Sequence, residues 1–146
     1  MVQNLEVRWA DLDPNYHVRH SVYYDWGATA RMNFLTAAGL TAKLLNEQHF
    51  GPVIFREECI FRREIYFGDV LTIDVKTTKL RRDLGRFSIR HQITKADGTV
   101  CAIINIDGAF IDTLTRKLTV PPQIAYDTFT KMPMADDFEW LEVKPA

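Results

Sequence analysis

The sequence is organised around residues 8–26, RWADLDPNYHVRHSVYYDW, in which a short strand-like segment leads through a turn into a helix. Asp13-Pro14-Asn15 is a turn signal, because proline fixes φ and the flanking side chains can bond to nearby backbone groups. Ser21 stands where the N-cap of the helix is expected. We therefore expect the Asp13 carboxylate beside free amide groups that favour negative charge. A base next to such amides suits acyl transfer.

The composition is that of an ordinary globular chain without a strong overall charge. Its 146 residues suit one domain, and 47% hydrophobic with 25% charged residues is the profile of a soluble protein. The formal net charge of −1 gives no general attraction to nucleic acid or to anionic membranes. Residues 1–6 do not resemble a signal peptide, and no apolar run approaches the length of a membrane span. We therefore expect a cytoplasmic protein.

The two cysteines are predicted to be buried free thiols. Cys59 and Cys101 both fall within apolar, strand-like runs, where a thiol behaves as a small hydrophobic group. No cluster of histidine, cysteine and acidic residues has the spacing of metal ligands, so no metal site is expected.

The hydrophobic pattern predicts one long helix and five strands. An apolar stripe at three- and four-residue spacing indicates a helix from Ser21 that ends at Gly39; it consists of Tyr23, Trp26, Ala30, Phe34 and Ala37. Strands are predicted where apolar residues alternate or run together, at residues 2–9, 53–67, 71–76, 87–94 and 100–111. Asp97-Gly98 is a hairpin signal between the last two strands.

These elements predict an α+β fold in which a five-stranded antiparallel sheet wraps around the long helix. Short helices are expected at residues 41–48 and 121–130. The single domain is predicted to span residues 1–130, with a C-terminal extension at residues 131–146. Because one helix covers only part of such a sheet, the remaining face and the sheet edges favour self-association.

The motif Asp11-x-Asp13-x-x-x-His17-Val18, followed by Tyr23 and Arg31, resembles the hotdog-fold acyl-CoA thioesterases of the 4-hydroxybenzoyl-CoA thioesterase type. Shorter motifs follow in the family's order, namely Phe61-x-Arg63, Gly68-Asp69-x-Leu71, Asp97-Gly98 and Arg116-Lys117-Leu118-x-x-Pro121. The resemblance covers about residues 5–129. It implies a hotdog fold and thioester hydrolysis at sites formed between two protomers, and hence a homodimer or a homotetramer.

The resemblance also implies roles for individual residues of the organising stretch. Asp13 matches the acid that acts as a nucleophile, or as a general base toward water. His20 occupies the position whose backbone N–H polarises the thioester carbonyl. Tyr23, one turn further along the helix, would line the acyl pocket, with Trp26 and His17 as further substrate-binding candidates. For Asp13, His17 and the two aromatic residues, the alternative is a structural role in a turn or in the core.

Basic residues downstream fit the coenzyme A part of such a substrate. Arg81, Arg82 and Arg86 fall in a connection where relatives carry basic residues for the coenzyme A phosphates, and clustered arginines suit bidentate phosphate contacts. Without that resemblance they would be assigned to a solvated turn. The expected substrate is an acyl group on coenzyme A or on a carrier protein. No further cofactor, nucleic acid or membrane partner is expected.

The sequence departs from the family at three points, and two other functions stay open. Tyr16 stands where the family often has glycine, and Arg19-His20 stands where it often has two asparagines. Many relatives also carry a glutamate on the helix near Ala28 or Thr29, and this sequence does not. One alternative is a hotdog hydratase or dehydratase, in which Asp13 and His17 move protons on an acyl chain without cleaving the thioester. The other is a non-catalytic acyl-binding dimer, which the bulky Tyr16 and the basic Arg19 favour.

Overall fold

The computed structural model describes residues 2–145, in which one β-sheet surrounds a long helix. This helix, α1, spans Val22–Ala37, and the short helices are α2 (Ala42–Glu47) and α3 (Gln123–Thr130). The strands are β1 (Val2–Leu5), β2 (Phe50–Phe61), β3 (Leu71–Asp74), β4 (Lys76–Arg81), β5 (Arg86–Lys95), β6 (Val100–Asp112), β7 (Leu118–Thr119) and β8 (Met134–Leu141).

The strands occupy five positions across the sheet. From one edge the order is β2, β6, β5, then β3 with β4, and finally β1 with β8. Strands β3 and β4 both pair with β5 and are separated only by Val75. Strand β1 pairs antiparallel with β3, whereas β8 pairs parallel with β4. The predicted α+β arrangement of an antiparallel sheet around one helix is therefore confirmed, with β8 as the parallel exception.

Small residues let α1 approach the sheet closely. A Cβ atom at Gly27 would lie 3.3 Å from Cδ2 of His91 on β5, so only glycine fits comfortably there. Ala30 and Phe34, of the predicted stripe, are buried on the same side, whereas Ala37 is exposed. Gly39 ends the helical region with φ of 100°, as predicted, because glycine adopts this conformation without strain.

An aromatic cluster fills the end of the core that is closed by α3. Phe110 of β6 meets Phe87 of β5 at 5.4 Å between ring centroids and Phe129 of α3 at the same distance. Phe50, at the start of β2, lies 6.1 Å from Phe110. This cluster is the reason that α3 docks onto the sheet, since it buries the aromatic ring of Phe129.

Two predicted strands end earlier than the alternation suggests. Strand β1 ends at Leu5, because the Asp11 carboxylate accepts the Arg8 backbone N–H at 2.9 Å and bends the chain into a 3₁₀ turn, Trp9–Asp11. Strand β2 was predicted to reach residue 67 but ends at Phe61. The regular pairing with β6 stops there because the backbone N–H groups of Arg62 and Arg63 both donate to the Cys101 carbonyl, at 2.8 and 3.1 Å.

The residues after α3 contribute a strand that the sequence did not reveal. Strand β8 lies within the predicted C-terminal extension, and Phe138 and Trp140 on it pack edge to face at 5.3 Å. Asp137 forms a bidentate ion pair with Arg90 of β5, with both N–O distances 2.9 Å. The acids that interrupt its apolar residues hid this strand from the alternation pattern. Cys59 and Cys101 are free thiols, as predicted; Cys101 is buried, whereas Cys59, on the edge strand β2, is only partly buried.

His91 is buried beneath α1 and held in one tautomer. Arg31 Nη1 lies 3.1 Å from His91 Nε2, and because arginine can only donate, Nε2 accepts and Nδ1 carries the proton. Nδ1–H then donates to the Asp74 carbonyl at 2.7 Å. Burial lowers the pKa of His91 to about 4. The hydrogen bond to the Asp74 carbonyl alone would raise this pKa, and the charge of Arg31 lowers it further.

We expect His91 to make the folded state sensitive to acid. Between its usual pKa of 6.5 and the folded value of about 4, the unfolded chain binds a proton that the folded chain does not. The contribution of neutral His91 to the free energy of unfolding should therefore be complete above pH 6.5. The free energy of unfolding should fall by up to about 3 kcal/mol as the pH drops to 4. Urea unfolding at a series of pH values measures this. The His91→Gln variant should show a shallower dependence, and an unchanged slope would contradict the assignment.

Candidate active site

Backbone hydrogen bonds close the loop between β1 and α1 into a fixed bend. The Asp13 N–H donates to the His17 carbonyl at 2.8 Å, and the Tyr16 N–H donates to the Asp13 carbonyl at 3.0 Å. Further out, the Arg19 N–H donates to the Asp11 carbonyl at 2.8 Å. The turn predicted at Asp13-Pro14-Asn15 is present, and the backbone of Asp13 is held from both sides.

The Asp13 carboxylate is oriented within this bend by three contacts. Oδ1 accepts the backbone N–H of Asn15 at 2.8 Å and that of His17 at 3.3 Å. Oδ2 lies 3.3 Å from Nδ1 of the His17 ring. The ring of His17 in turn meets Tyr66 edge to face at 5.8 Å. The side chain of Asp13 is thus ordered but remains partly open to solvent.

Asp11 braces the bend from inside the protein. Its carboxylate is fully buried and accepts the Arg8 backbone N–H and the Arg8 guanidinium, with the closest side-chain contact 2.8 Å. Burial by itself would raise the pKa of Asp11, but the hydrogen bonds and the charge of Arg8 outweigh it and hold the pKa below its usual value. Asp11 therefore stabilises the loop as a hydrogen-bond acceptor.

Helix α1 begins without the side-chain cap that Ser21 was expected to provide. Ser21 is the N-cap residue, but its backbone is helical and its hydroxyl accepts from Arg19 Nε at 3.2 Å instead. Within residues 2–145, the backbone N–H of His20 has no hydrogen-bond acceptor. This N–H stands at the start of α1, where the helix dipole also favours a partial negative charge.

Asp13 and His20 open onto one cavity of about 310 Å³. The other lining residues are His17, Val18, Tyr23, Phe61, Arg62, Arg63 and Glu64. Tyr23 is almost fully buried, and its ring meets Phe61 of β2 edge to face at 4.9 Å. Burial raises the pKa of Tyr23 to about 12, so its phenol is neutral at physiological pH. The cavity is therefore lined by an acidic residue, by a residue with a free backbone amide and by aromatic side chains.

The structure brings together four of the predicted site residues and separates the others from them. Asp13, His17, His20 and Tyr23 line the same cavity. Trp26 touches Tyr23, with 5.6 Å between ring centroids, but lines a different depression on the far side of the helix start. Two residues that sequence reasoning gave no role, Arg62 and Arg63, stand at the cavity because β2 ends just before them.

The three predicted phosphate-binding arginines lie at the opposite end of the sheet. Arg81 pairs with Asp83 at 2.7 Å, and Arg82 pairs with Glu142 at 3.1 Å. Arg86 lies over the ring of Phe55, 5.8 Å from its centroid, and borders a depression together with Arg81. In the sheet register, Arg86 stands opposite Ala109 and Phe61 opposite Ala102. Seven residue steps along β6 correspond to about 23 Å, so one protomer does not bring these arginines to Asp13.

Strand β2 leaves one long edge of the sheet open. Among the described residues it pairs only with β6, so the backbone groups on its other edge have no strand partner. Four large apolar side chains of this strand are exposed: Ile54, Phe55, Ile60 and Phe61. A long apolar edge of this kind is typical of a strand that pairs with another chain.

The comparisons with known proteins identify the superfamily of the chain. The sequence profile of the thioesterase-like superfamily matches residues 7–131. The chain belongs to this superfamily. The predicted class of enzyme, a thioester hydrolase, is thereby confirmed at the level of the family. The profile is broader than the 4-hydroxybenzoyl-CoA thioesterase type, so membership of that type stays a prediction. The comparison with curated proteins finds no match.

Solved thioesterase structures share the fold. A Staphylococcus aureus protein solved in complex with CoA superposes with a TM-score of 0.83 at 20% identity, covering 92% of this chain and 85% of that chain. A 1,4-dihydroxy-2-naphthoyl-CoA thioesterase from Synechocystis gives 0.79 at 18% identity, covering 88% and 94%. A gentisyl-coenzyme A thioesterase gives 0.77 at 23% identity, covering 88% and 99%. The predicted hotdog fold is confirmed by the superfamily match and these likenesses.

Two searches of residues 2–145 give negative results. No helix in this part of the thioesterase-like chain is long and apolar enough to cross a membrane. No group of three or more histidine, cysteine and acidic side chains in it is placed to hold a metal ion.

Tyr16 has a strained backbone at the position where the family often has glycine. Its φ is 68°, and its side chain is 67% exposed, so little packing offsets the strain. The left-handed conformation costs an ordinary residue about 1–2 kcal/mol. Glycine avoids this cost, but it makes the unfolded chain more flexible, which offsets about 0.5–1 kcal/mol of the gain. We expect Tyr16→Gly to raise the free energy of unfolding by about 0.5–1 kcal/mol. Tyr16→Ala, which keeps the strain, should give no such gain in the same denaturation assay, and equal gains would contradict the explanation.

Proposed function

We propose that the protein is a cytoplasmic acyl-CoA thioesterase that hydrolyses its substrate to a free acid and coenzyme A without a further cofactor. The observation that carries this proposal is that Asp13, whose carboxylate is ordered, and His20, whose N–H has no acceptor among the described residues, line the same cavity. Asp13 lies in the loop before α1 and not on the helix. Enzymes of the 4-hydroxybenzoyl-CoA thioesterase type also carry their catalytic acid in this loop. Two of the solved relatives act on aromatic acyl-CoA thioesters, according to their names.

The arrangement suggests how the thioester would react. Its carbonyl oxygen would accept the His20 N–H, and the dipole of α1 would stabilise the negative charge that develops on it. Asp13 would either attack the carbonyl carbon or remove a proton from an attacking water. If Asp13 activates water, the water oxygen forms the new C–O bond, the C–S bond breaks, and the free acid and coenzyme A thiolate result. If Asp13 attacks, its oxygen forms the C–O bond as the thiolate leaves, and water then hydrolyses the acyl anhydride on Asp13 to release the acid and restore the carboxylate. Because a thiolate is a good leaving group, no strong general acid is required.

A two-fold dimer would complete the site. Two copies that pair their β2 edges antiparallel place the first half of one β2 alongside the second half of the other. The partner's Phe55 and the partner's Arg86 would then approach the end of β2 that carries Phe61 and faces Asp13. This arrangement would let the arginine cluster bind the coenzyme A phosphates from across the interface. The protein would therefore act as a homodimer or as a pair of dimers.

One contact favours a second candidate function. The 3.3 Å approach of His17 Nδ1 to Asp13 Oδ2 forms an acid–base pair, which a hydratase or dehydratase would use to move protons along an acyl chain. Hydration of an enoyl-CoA releases no thiol, whereas hydrolysis of any acyl-CoA does. Release of free thiol therefore separates the two functions.

Removing the Asp13 carboxylate should abolish most of the hydrolysis. We expect Asp13→Asn to lower kcat for thiol release by about 100-fold or more, by analogy with the loss of one oxyanion donor, while the thermal unfolding profile stays cooperative. Asp25→Asn is the matched control, because Asp25 is the one acid in the first turn of α1 and is exposed. A near-parental rate for Asp13→Asn on every acyl-CoA that the parent cleaves would refute the proposal.

The arginine cluster should affect binding of the coenzyme A part and not the chemistry. Loss of a charge-assisted phosphate contact should raise KM of the Arg86→Ala variant for acyl-CoA about tenfold, with kcat nearly unchanged. The corresponding acyl-pantetheine, which lacks the phosphates, should give equal KM values for parent and variant. Lys43→Ala, a change in an exposed lysine of α2, serves as the control. An unchanged KM for acyl-CoA would remove the phosphate role.

A further inference from the structure

Two arginine side chains at the Asp13 cavity have no carboxylate partner. Arg62 and Arg63 both line this cavity. Within residues 2–145, the guanidinium group of Arg62 forms no hydrogen bond or ion pair, and that of Arg63 donates only to the Arg62 carbonyl, at 2.9 Å. Glu64, the next residue, also lines the cavity but pairs with neither arginine. The cavity therefore presents two guanidinium groups that are available to a ligand.

The segment that carries these arginines is fixed at both ends by backbone hydrogen bonds. The N–H groups of Arg62 and Arg63 donate to the carbonyl of Cys101, a fully buried residue of β6, at 2.8 and 3.1 Å. At the other end, the Ile65 carbonyl accepts the N–H of Val18, in the loop between β1 and α1, at 2.8 Å. The two arginines are thus held beside this loop by bonds that do not involve their own side chains.

The size of the cavity limits which anionic groups these arginines could contact. A sphere of about 310 Å³ is about 8 Å across, and a six-carbon acyl chain spans roughly 6 Å at about 1.2 Å per bond. About thirteen bonds separate the sulfur of coenzyme A from its first phosphorus, which corresponds to roughly 16 Å in an extended arm. With the thioester at Asp13 and His20, the phosphates of an extended arm would therefore lie outside the cavity. The far end of a short acyl group would lie inside it.

A carboxylate is the anionic group that an acyl chain can offer to two guanidinium groups. Each guanidinium has parallel N–H donors that match the two oxygens of a carboxylate. Glu64 would repel an incoming anion, but the two cations outnumber it. The Asp13 carboxylate already accepts the N–H groups of Asn15 and His17. An uncharged acyl chain would leave both guanidinium groups without a partner, whereas a carboxylate at its end would pair with them.

We propose that the preferred substrate is the monothioester of a short dicarboxylic acid, of roughly four to six carbons, whose free carboxylate binds Arg62 and Arg63. The two arginines would determine the specificity and take no part in the chemical step. This inference rests on the proposed hydrolase function and names the class of acyl group for the same site.

Two acyl-CoA esters of equal chain length measure the preference. Adipyl-CoA and hexanoyl-CoA differ in that only adipyl-CoA ends in a carboxylate. We expect kcat/KM of the parent for thiol release to be at least about tenfold higher with adipyl-CoA, because hydrogen bonds between charged groups contribute at least this factor. A parent protein that cleaves hexanoyl-CoA as efficiently as adipyl-CoA would overturn the inference.

Removing both guanidinium groups should abolish this preference. The Arg62→Gln/Arg63→Gln double variant keeps the backbone N–H groups that hold the segment, so its thermal unfolding should stay close to that of the parent. Its ratio of kcat/KM for adipyl-CoA over that for hexanoyl-CoA should fall at least about tenfold, with the kinetics on hexanoyl-CoA nearly unchanged. A parental ratio in the double variant would overturn the proposal.

A matched control removes two charges elsewhere. Arg116→Gln/Lys117→Gln changes two adjacent, exposed basic residues that do not line the cavity, and it should keep the parental ratio. Arg62→Lys/Arg63→Lys preserves both charges at the cavity and should retain most of the preference. An equal loss of preference in the Arg116→Gln/Lys117→Gln control would overturn the assignment to the cavity arginines, because it would show a general effect of net charge.

Esters without phosphates distinguish an acyl carboxylate from a phosphate as the bound anion. With adipyl-pantetheine and hexanoyl-pantetheine, the parent should still prefer the adipyl ester, and Arg62→Gln/Arg63→Gln should still lose this preference. If the arginines bound the coenzyme A phosphates instead, the double variant would lose efficiency equally on both acyl-CoA esters and on neither pantetheine ester. That result would overturn the proposal.

Binding without turnover separates failure of this inference from failure of the proposed function. Adipyl-CoA is titrated calorimetrically into Asp13→Asn and into the Asp13→Asn/Arg62→Gln/Arg63→Gln triple variant, and we expect the triple variant to bind it at least about tenfold more weakly. Equal affinities would overturn the carboxylate assignment, whatever the hydrolysis assays show. A parent protein that releases no thiol from any acyl-CoA, while the triple variant shows this loss of affinity, would overturn the hydrolase function and leave the carboxylate site intact.

Discussion

The backbone hydrogen bonds that close residues 11–19 hold a carboxylate against the open start of a helix, and the candidate site depends on them. A free loop would let Asp13 turn into water, where a carboxylate is well solvated and has no reason to face the amide of His20. Here the Asp13 backbone is bonded on both sides, and the buried Asp11 ties the loop to Arg8. Three further contacts fix the Asp13 side chain. In the proposed mechanism, the fold thus orients the Asp13 carboxylate before any substrate arrives, which would avoid reorganisation during the reaction.

The sheet places the arginines proposed to bind coenzyme A far from the Asp13 cavity of the same protomer. Within one protomer, the Arg81–Arg86 cluster lies toward one end of β2, and the Asp13 cavity lies toward the other. In the proposed dimer, the unpaired edge of β2 would pair with the same edge of a second copy. A two-fold axis turns the two ends of a strand toward each other, so features that are far apart in one chain become neighbours in the pair. In the proposed dimer, a complete site would therefore form only where two copies pair.

Local signals predicted the elements of the fold well and their partners less well. The turn at Asp13-Pro14-Asn15, the helix stop at Gly39 and the Asp97-Gly98 hairpin depend on residues adjacent in sequence, and all three are present. Strand β8 was missed because its pairing with β4 is non-local and acids interrupt its apolar pattern. The 3₁₀ turn was missed because it follows from the contact of the buried Asp11 carboxylate with Arg8. The sequence position of Ser21 predicted that it lies at the helix start. It could not reveal that the Ser21 hydroxyl accepts a hydrogen bond from Arg19 and therefore does not cap the helix.

The same distinction applies to the site. The organising stretch contains Asp13, His17, His20 and Tyr23, and the structure gathers all four at one cavity. Arg62 and Arg63 join them only because β2 ends at Phe61, which its alternation did not show.

Whether the thioester reacts between the His20 N–H and the side chain of Asp13 is tested most directly by a crystal structure of the Asp13→Asn variant with an intact acyl-CoA thioester bound. The account predicts that the carbonyl oxygen of the thioester lies about 2.7–3.1 Å from the backbone nitrogen of His20, with the amide of the introduced asparagine facing the carbonyl carbon. A thioester bound away from the start of α1, or one whose carbonyl points away from His20, would contradict it.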